Sequence, residues 1–307
     1  MQVPRNTKEN LMWALVLGVA TFVYQPVVTA QSSSTPEGWK KVEEAMGRSG
    51  QMQPGDVIKF GMPRGDMHVM VSGVAIKPAL ALGSWAAFKA TGAREGMVMG
   101  DLVLTEDEIE PVMKKLADSG IQIAAVHNHL IGESPRVMYI HIASHGDAVK
   151  MAQAIRVAVE LTKTPAPAPS SAQALELAGI DQKKIEATLG YSGKVNGGVL
   201  QVSVPRAETI TDGAMVVPPS MGVATAINFQ PTGAGKAAIT GDFVLVGKEV
   251  NPVLKALRDH GIEVTAIHSH MLEEAPRLFF MHFWANDEAV KLAQGLRAAL
   301  DVTNSKK

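Results

Sequence analysis

The sequence contains no cysteine. Disulfide bonds, thiolate metal ligands and a cysteine nucleophile are therefore excluded, and the stability of the fold must come from its core. Any transition-metal site has to use histidine, carboxylate or methionine side chains. Bacterial lipoproteins carry their lipid on a cysteine, so the chain is also predicted to lack a lipid anchor.

The sequence also has no long run of residues that carry charge of one sign. Lysine plus arginine total 29 and aspartate plus glutamate total 30, which gives a net charge of −1. Binding to a phosphate backbone needs clustered lysine and arginine, so a nucleic-acid partner is not expected. The sequence lacks a glycine-rich phosphate loop, a G-x-S-x-G turn and an H-E-x-x-H motif, so no reaction can be assigned from a catalytic motif.

Only the first 30 residues have the composition of a targeting segment. Arg5 and Lys8 precede an apolar run over residues 11–24, and residues 28–30 (V-T-A) place small side chains where a signal peptidase cuts. The run is shorter than the roughly 20 residues of a membrane span, and no later segment is apolar enough to be one. We predict a cleaved signal peptide over residues 1–30 and a soluble periplasmic or extracellular protein; an uncleaved anchor is the alternative.

The most informative feature of the remaining chain is an internal repeat. Residues 97–160 align without a gap with residues 238–301 at a constant offset of 141, and a weaker correspondence continues upstream. Between the copies, residues 164–171 read T-P-A-P-A-P-S-S, which is typical of an extended linker. We therefore predict a first repeat domain over residues 31–163 and a second over residues 172–307.

Both copies have the pattern of an α+β fold. The end of the first copy reads β-α-β-β-α, with strands over residues 97–104, 121–129 and 137–142, a helix over 111–119 and another from Asp147. About three strands precede this unit in each copy, and in the first copy they are expected over residues 57–60, 68–76 and 84–88. We predict two tandem homologous halves packed as a pseudo-dimer, each with a mostly antiparallel sheet.

Histidine is concentrated in this repeat. Six of the nine histidines form an H-x-H pair followed by a third histidine, with eleven residues between: His127, His129 and His141 in the first copy, and His268, His270 and His282 in the second. Imidazole is the side chain most often used to bind transition metals at neutral pH. The other three histidines (His68, His145 and His260) have no histidine counterpart and are expected at the surface.

Strand geometry predicts that each set of three histidines shares one face. His127 and His129 alternate along a strand and so point to the same side. If the following hairpin pairs His129 with Val137, then Ala125 lies opposite His141 and all three imidazoles project together. A register slip of one residue would move His141 to the other face.

The pattern leaves two arrangements and two interpretations open. Either each half holds its own ion, or the two hairpins face each other across a pseudo-twofold axis. The predicted cofactor is Zn²⁺ or another divalent transition metal, and three imidazoles would leave a fourth position on zinc open. In the competing interpretation the histidines are structural and form hydrogen bonds with carboxylates or backbone groups.

Three kinds of charged residue are copied with the histidines: Glu133 and Glu274, Arg136 and Arg277, and Asp101 and Asp242. The glutamates either complete the metal site or hold its ligand. The arginines either clamp a carboxylate or phosphate or brace the loop through the nearby glutamate, which we favour because the two are copied together. Each aspartate follows a glycine expected to form a bulge or bend, and it either binds local backbone, the favoured role, or contacts the histidines.

These motifs resemble a known family. A signal peptide, two tandem copies, G-D-(L/F)-V-L, E-x-x-P-V, H-(N/S)-H-(L/M), E-x-P-R and a third histidine are similar to the LppY/LpqO-type family of exported bacterial proteins. The resemblance covers nearly all of the mature chain and implies export and a duplicated domain of unknown function. Named members of that family are lipoproteins, and this chain lacks the cysteine that would carry the lipid.

The sequence thus predicts an exported protein that binds a divalent metal or a small ligand at a duplicated histidine site. Metal-dependent hydrolysis would follow if a zinc-bound water served as the nucleophile. The alternative is a non-catalytic module with structural histidines that recognises a glycan, peptide or other envelope component.

Overall fold

A computed structural model describes Met1 and residues 37–167 and 177–307. The rest of the predicted signal peptide, residues 31–36 and residues 168–171 of the predicted linker lie outside the described residues. Linker residues 164–167 have no regular secondary structure. The two described stretches belong to one compact unit.

The first half consists of four helices and nine strands within its described residues. In chain order these are α1 (Glu37–Met46), β1 (Gln51–Gln53), β2 (Val57–Pro63), β3 (Met70–Val71), β4 (Val74–Ala75), α2 (Pro78–Ala81), β5 (Gly83–Ala90), β6 (Glu95–Thr105), α3 (Ile109–Asp118), β7 (Ile123–His127), β8 (Glu133–Ser134), β9 (Val137–Asp147) and α4 (Ala148–Val159).

The second half repeats this order, with a one-turn 3₁₀ helix in place of α2. Its elements are α5 (Gln182–Leu189), β10 (Gly193–Asn196), β11 (Val199–Pro205), β12 (Thr211–Asp212), β13 (Met215–Val216), β14 (Ala224–Gly233), β15 (Lys236–Val246), α6 (Val250–Asp259), β16 (Glu263–His268), β17 (Glu274–Ala275), β18 (Leu278–Glu288) and α7 (Ala289–Leu300).

Each half contains one six-stranded antiparallel sheet. The strand orders are β1-β2-β5-β6-β9-β7 and β10-β11-β14-β15-β18-β16, so equivalent strands occupy equivalent positions. Two further sheets of three short strands have the orders β4-β3-β8 and β13-β12-β17. The prediction of an α+β fold with two homologous halves and a β-α-β-β-α end in each is confirmed.

Helices cover one face of each large sheet. In the first half, Trp39 of α1, Leu116 of α3 and Ile155 of α4 pack on strand residues such as Phe60 and Ile140. The helices α5, α6 and α7 cover the second sheet in the same way. Because side chains alternate along a strand, the opposite face of each sheet is left to pack elsewhere.

Those opposite faces pack against each other. One core joins Val57 and Met99 of the first half to Val244 and Phe280 of the second. Another core joins residues such as Val71, Leu80 and Leu130 of the first half to Val199 and Trp284 of the second. The protein is therefore a stack of helices, sheet, sheet and helices, and the candidate site lies between the sheets.

A buried arginine is held in the same way in both halves. The Arg64 guanidinium donates to Glu108 at 2.7 Å and to the Val103 carbonyl at 2.7 Å. Its counterpart Arg206 donates to Glu249 and to the Val244 carbonyl at 2.7 Å each. Each arginine thus ties the residue after β2 or β11 to the strand that carries Asp101 or Asp242.

One predicted strand is a hairpin. Residues 68–76 were expected to run straight, but they form β3 and β4, which pair through Val71 and Val74. The intervening Ser72 and Gly73 have φ values of 47° and 81°, the left-handed conformation that a two-residue hairpin turn requires.

The glycine before each aspartate does not form the predicted bulge. The ladder is regular at Gly100 and at Gly241. A Cβ atom at Gly100 would lie 2.7 Å from the Trp85 carbonyl oxygen, and one at Gly241 would lie 1.9 Å from that of Ala226. Glycine is needed because the neighbouring strand approaches too closely for any side chain.

The helices between residues 37 and 307 that the structure describes are all too short or too polar to cross a bilayer.

Candidate metal site between the two sheets

His127 and His141 project from β7 and β9 in the predicted register, and His129 lies two residues beyond the end of β7. Ala125 lies opposite His141, and His127 lies opposite Tyr139. In the second half, Ala266 lies opposite His282. The predicted pairing within each hairpin is therefore confirmed. We call His127, His129 and His141 the first triad, and His268, His270 and His282 the second triad.

The two triads form one cluster. Ring centroids are 3.6 Å apart between His127 and His268. They are 3.8 Å apart between His129 and His282, and 3.6 Å apart between His141 and His270. Exchanging the two halves leaves the first pair unchanged and interconverts the other two. The hairpins therefore face each other across a pseudo-twofold axis, which is the second of the predicted arrangements.

The inward nitrogen of every histidine in the cluster lacks a hydrogen-bond partner. Across residues 37–167 and 177–307, nine buried side-chain nitrogen or oxygen atoms have no such partner. Eight of these belong to the cluster: the six Nε2 atoms, together with Oδ1 of Asp101 and Oδ1 of Asp242. Buried polar atoms are nearly always paired in native proteins, so this concentration requires an explanation.

Backbone carbonyl groups fix the orientation of several rings. Nδ1 of His127 lies 3.1 Å from the Asn128 carbonyl oxygen, and Nδ1 of His282 lies 3.0 Å from that of Gly241. His268 makes a longer contact of 3.4 Å with the Ser269 carbonyl. A carbonyl only accepts, so Nδ1 carries the proton in these rings and Nε2 presents a lone pair, as in metal-binding histidines.

Burial keeps the six imidazoles neutral. Desolvation lowers the pKa of His127 to about 3, with a further contribution from His268, and it lowers the pKa of His268 to about 4. The pKa values of the other four lie well below the usual range, first because of burial and then because of neighbouring histidines. At neutral pH the six imidazoles are therefore in the neutral form, which is the form that binds a cation.

The predicted aspartates lie against the triads. In the first half, the two carboxylate oxygens of Asp101 lie 3.9 Å from Nε2 of His129 and 3.9 Å from Nε2 of His141. In the second half, Oδ1 of Asp242 lies 3.2 Å from Nδ1 of His282. Both aspartates sit opposite the third histidine of their own triad in the sheet ladder.

The environment of these carboxylates opposes their ionisation. Burial raises the pKa of Asp101 well above its usual range, the charge of Asp242 raises it further, and Lys59 partly offsets both. Burial raises the pKa of Asp242 to about 8. A bound cation would reverse this tendency, because an adjacent positive charge favours the carboxylate form.

The predicted glutamates lie in the hairpin loops and belong to neither group of candidate metal ligands. Glu133 accepts a hydrogen bond from the Val137 amide at 3.4 Å, and Glu274 accepts one from the Leu278 amide at 2.9 Å. Burial raises the pKa of Glu133 to about 7. These contacts close each loop onto the strand that carries the third histidine.

The predicted arginines differ between the halves. Arg277 lies 3.3 Å from Glu274 and also donates to the Leu272 carbonyl at 3.2 Å, which is a bracing arrangement. Arg136 lies 3.5 Å from Glu106 instead, and both of these side chains are exposed. The three histidines without counterparts in the repeat, His68, His145 and His260, are also exposed.

Sequence reasoning missed the aromatic rings behind the H-x-H motifs. Tyr139 stacks on His129 with centroids 3.4 Å apart, and Phe280 stacks on His270 at 3.6 Å. An aromatic residue two positions before the third histidine in both copies was a usable signal. Lys59 was also missed; burial lowers its pKa to about 8, and its Nζ lies 3.9 Å from the centre of the Trp85 ring.

Two groups of histidines have the spacing of metal ligands. One contains the whole first triad, and the other contains the second triad plus His127. Within each group, one ligand atom from every residue lies within 4.8 Å of all the others. Zinc binds imidazole nitrogen at about 2.0–2.1 Å, which places tetrahedral ligands about 3.4 Å apart, so modest side-chain movement would bring either group onto an ion.

Comparison with solved structures gives only distant similarity. A trimeric bacterial microcompartment shell protein, PduB, matches 83% of this chain over 89% of its own, at 15% identity and a TM-score of 0.20. EtuB from Clostridium kluyveri matches 82% of this chain over 90% of its own, at 11% identity and a TM-score of 0.19. Scores this low carry no argument about fold or function.

Comparison of sequences is more informative. No curated protein matches the chain. The family model described as Domain of Unknown Function (DUF1259) matches residues 40–161 and again residues 183–302. This result confirms the tandem repeat of a domain of unknown function, while the finer resemblance to the LppY/LpqO-type family stays a prediction. The chain therefore belongs to the DUF1259 family and contains its domain twice.

Proposed function

We propose that this protein binds a divalent transition metal, with Zn²⁺ as the first candidate, at the histidine cluster between its two sheets. The observation that carries the proposal is the set of eight buried polar atoms without hydrogen-bond partners in the described residues, all in one cluster. Nitrogen and carboxylate ligands without thiolate suit zinc, copper, nickel and iron more than calcium or magnesium.

The chemistry of the cluster favours a cation over an anion. An anionic ligand would need hydrogen-bond donors, and the imidazoles would have to be protonated to supply them through Nε2. Their depressed pKa values oppose protonation at neutral pH. A metal ion, in contrast, accepts several lone pairs at once and offsets the cost of burying them.

Metal analysis of the purified protein tests the proposal. The protein would be stripped of metal with EDTA, dialysed, and reloaded separately with Zn²⁺, Cu²⁺, Ni²⁺, Co²⁺ and Fe²⁺. Native mass spectrometry would then measure the mass of each sample. We expect bound ion in the wild type and its loss in a variant carrying His127→Ala and His268→Ala. The control is His68→Ala, which removes an exposed histidine. A wild-type protein that takes up none of these ions would overturn the proposal in favour of a non-catalytic envelope binding module.

Metal-dependent hydrolysis is a second candidate. It is supported by the partial exposure of His127 and His268, the two least buried histidines of the cluster by the desolvation of their imidazoles. Water bound to zinc ionises near neutral pH and becomes a nucleophile. The test is a panel of model esters, amides and phosphoesters with metal-loaded and EDTA-treated protein. Equal rates in both forms would reject the hydrolase.

We also propose that residues 1–30 direct export to the periplasm or beyond. The support is the order of basic, apolar and small residues in that segment. Expression of the full chain in a bacterial host, followed by fractionation and mass measurement, tests it. A chain that is found in the periplasm and begins near residue 31 is expected, and an intact chain in the cytoplasm would contradict the prediction.

A further inference from the structure

We propose that the histidine cluster is a two-ion centre, in which each triad binds one divalent transition metal ion and Asp101 supplies a further ligand to the ion of the first triad. This inference rests on the metal binding proposed above. Beyond that proposal, it specifies how many ions bind and which residues hold each ion.

The number of unpaired ligand atoms exceeds what one ion can use. Six nitrogen atoms and two carboxylate oxygens lack hydrogen-bond partners within the described part of the chain. A tetrahedral ion takes four ligands and an octahedral ion takes six. A single ion would therefore leave at least two of these atoms buried and unpaired, which is costly.

The spacing of the ligands does not match a single six-histidine site. In an octahedral complex with metal–nitrogen distances of about 2.1 Å, every pair of ligand atoms lies within about 4.2 Å. The histidine groups that meet a limit of 4.8 Å contain three and four residues, and none contains all six. The ligand atoms of the six histidines, in the positions they occupy, therefore do not fit one coordination sphere.

Symmetry divides this region into two equal parts. The first triad forms one ligand group by itself, and the second group contains the whole second triad. His127 occurs in both groups, but its single free Nε2 can bind only one ion. Because the pseudo-twofold axis relates the triads, the assignment that gives each ion three imidazoles treats equivalent residues equally.

The carboxylates provide the charge that two neighbouring dications need. Two neighbouring dications repel each other, and negatively charged ligands reduce that repulsion. Asp101 is the better placed ligand, because its two oxygens each lie 3.9 Å from the Nε2 atom of a histidine of the first triad. Asp242 is less well placed, because its Oδ1 lies 3.2 Å from Nδ1 of His282, the nitrogen that already donates to the Gly241 carbonyl.

The stoichiometry of the wild-type chain is the primary test. Stripped protein reloaded with Zn²⁺ is expected to bind two ions per chain by native mass spectrometry and by elemental analysis. Binding of none would overturn the proposed function itself. Binding of one would leave that function standing and overturn the two-ion centre, so the two failures are distinguishable.

Matched double variants assign each ion to its triad. We expect one ion per chain when the first triad loses two ligands (His129→Ala and His141→Ala), and one ion when the second loses their counterparts (His270→Ala and His282→Ala). Loss of all metal in both variants would overturn the inference, because it would indicate one shared site. Circular dichroism checks that each variant folds.

A spectroscopic test needs no variant. Wild-type protein loaded with two equivalents of Cu²⁺ is expected to give a half-field electron paramagnetic resonance signal, because the two ions are near neighbours. Signals from isolated ions alone would overturn the two-ion centre. Asp101→Asn is expected to weaken one ion by about 10-fold to 100-fold, and Asp242→Asn to have a smaller effect. Unchanged affinities in Asp101→Asn would remove Asp101 from the ligand set.

Discussion

The two halves carry the same triad and aspartate in the same sheet register but surround them differently. Near the first triad, Lys59 lies over Trp85, whereas the equivalent strand of the second half carries Gln201. Tyr139 and Phe280 also differ, since the tyrosine hydroxyl donates to the Ala81 carbonyl at 3.0 Å. The two halves therefore have the same histidine and aspartate ligand atoms but a different charge around them.

This difference shows that the ligand residues and the residues around them are under different constraints. The triads and aspartates must match in both halves if equivalent ions are bound, because ligand geometry tolerates little change. The surrounding residues can diverge, because they act on the ions only through electrostatics or packing. A single lysine on one side makes the two ends of the site unequal in charge while the ligands stay equivalent.

The largest expected effect is the acid sensitivity of both triads in the metal-free protein. His127 and His268 have pKa values of about 3 and 4 in the folded chain but 6.5 when unfolded. The unfolded state therefore binds more protons below pH 6.5, and the free energy of unfolding falls as the pH falls. Each such proton contributes about 1.4 kcal/mol per pH unit, and several histidines act together.

Above pH 6.5 the sign reverses. Asp242 has a pKa of about 8 when folded and 3.8 when unfolded, so unfolding releases a proton and the free energy of unfolding falls as the pH rises towards 8. Urea denaturation of EDTA-treated protein from pH 5 to 8 should show a maximum near pH 6.5. The two double triad variants should each reduce the acid arm by a similar amount. A profile that is flat in the wild type would contradict the burial of the histidines.

The next largest effect concerns the buried arginines, which the two halves share. Arg64→Ala and Arg206→Ala should each lower the free energy of unfolding by about 3–5 kcal/mol, because each leaves a buried glutamate without its charge partner. Urea denaturation measures both. The control is Arg136→Ala, which removes an exposed arginine and should change little. A large difference between Arg64→Ala and Arg206→Ala would indicate that the halves are not equally supported.

A smaller effect should separate the two glycines. Gly100→Ala and Gly241→Ala both force a methyl group against a neighbouring carbonyl, and overpacking costs about 1–3 kcal/mol. The approach is 2.7 Å at Gly100 and 1.9 Å at Gly241, so Gly241→Ala should destabilise the protein more. Thermal and urea unfolding give the order. Gly61→Ala, where a Cβ has open space, is the control.

The smallest effect tests the charge difference directly. Lys59→Gln gives the first half the residue of the second and removes a positive charge close to Asp101. We expect it to tighten the ion of the first triad by several-fold at low salt, since a tenfold change is only about 1.4 kcal/mol. Calorimetric titration with Zn²⁺ measures this change. The reciprocal Gln201→Lys should weaken the other ion, and no change in either variant would show that Lys59 does not act on the site.

Much of each half could be predicted from the sequence, because the signals are local. The alternation of His127 and His129 and the length of the hairpin fix the pairing of Ala125 with His141. Gly120 ends α3 with a φ of 78°, as its position after the helix indicates. The turn at Ser72 and Gly73 was missed because the apolar residues on either side resemble one continuous strand.

Lys59 lies near Asp101 and Trp85, but no local signal in the sequence indicates this. It lies on β2, far along the chain from Asp101 on β6, and it occurs in only one copy of the repeat. Strand order brings the two together, since β5 lies between β2 and β6 and its Trp85 ring lies beneath the lysine. Such contacts depend on sheet topology, which local patterns do not specify.

The sequence by itself determined that the chain is duplicated and that three imidazoles in each copy share one strand face, because period-two alternation and loop length are local properties. Only the tertiary structure decided that the two faces meet, so that His129 lies against His282 and His141 against His270. That meeting depends on apolar packing between sheets from different halves. Packing of this kind is non-directional and distant in sequence, so no motif records it.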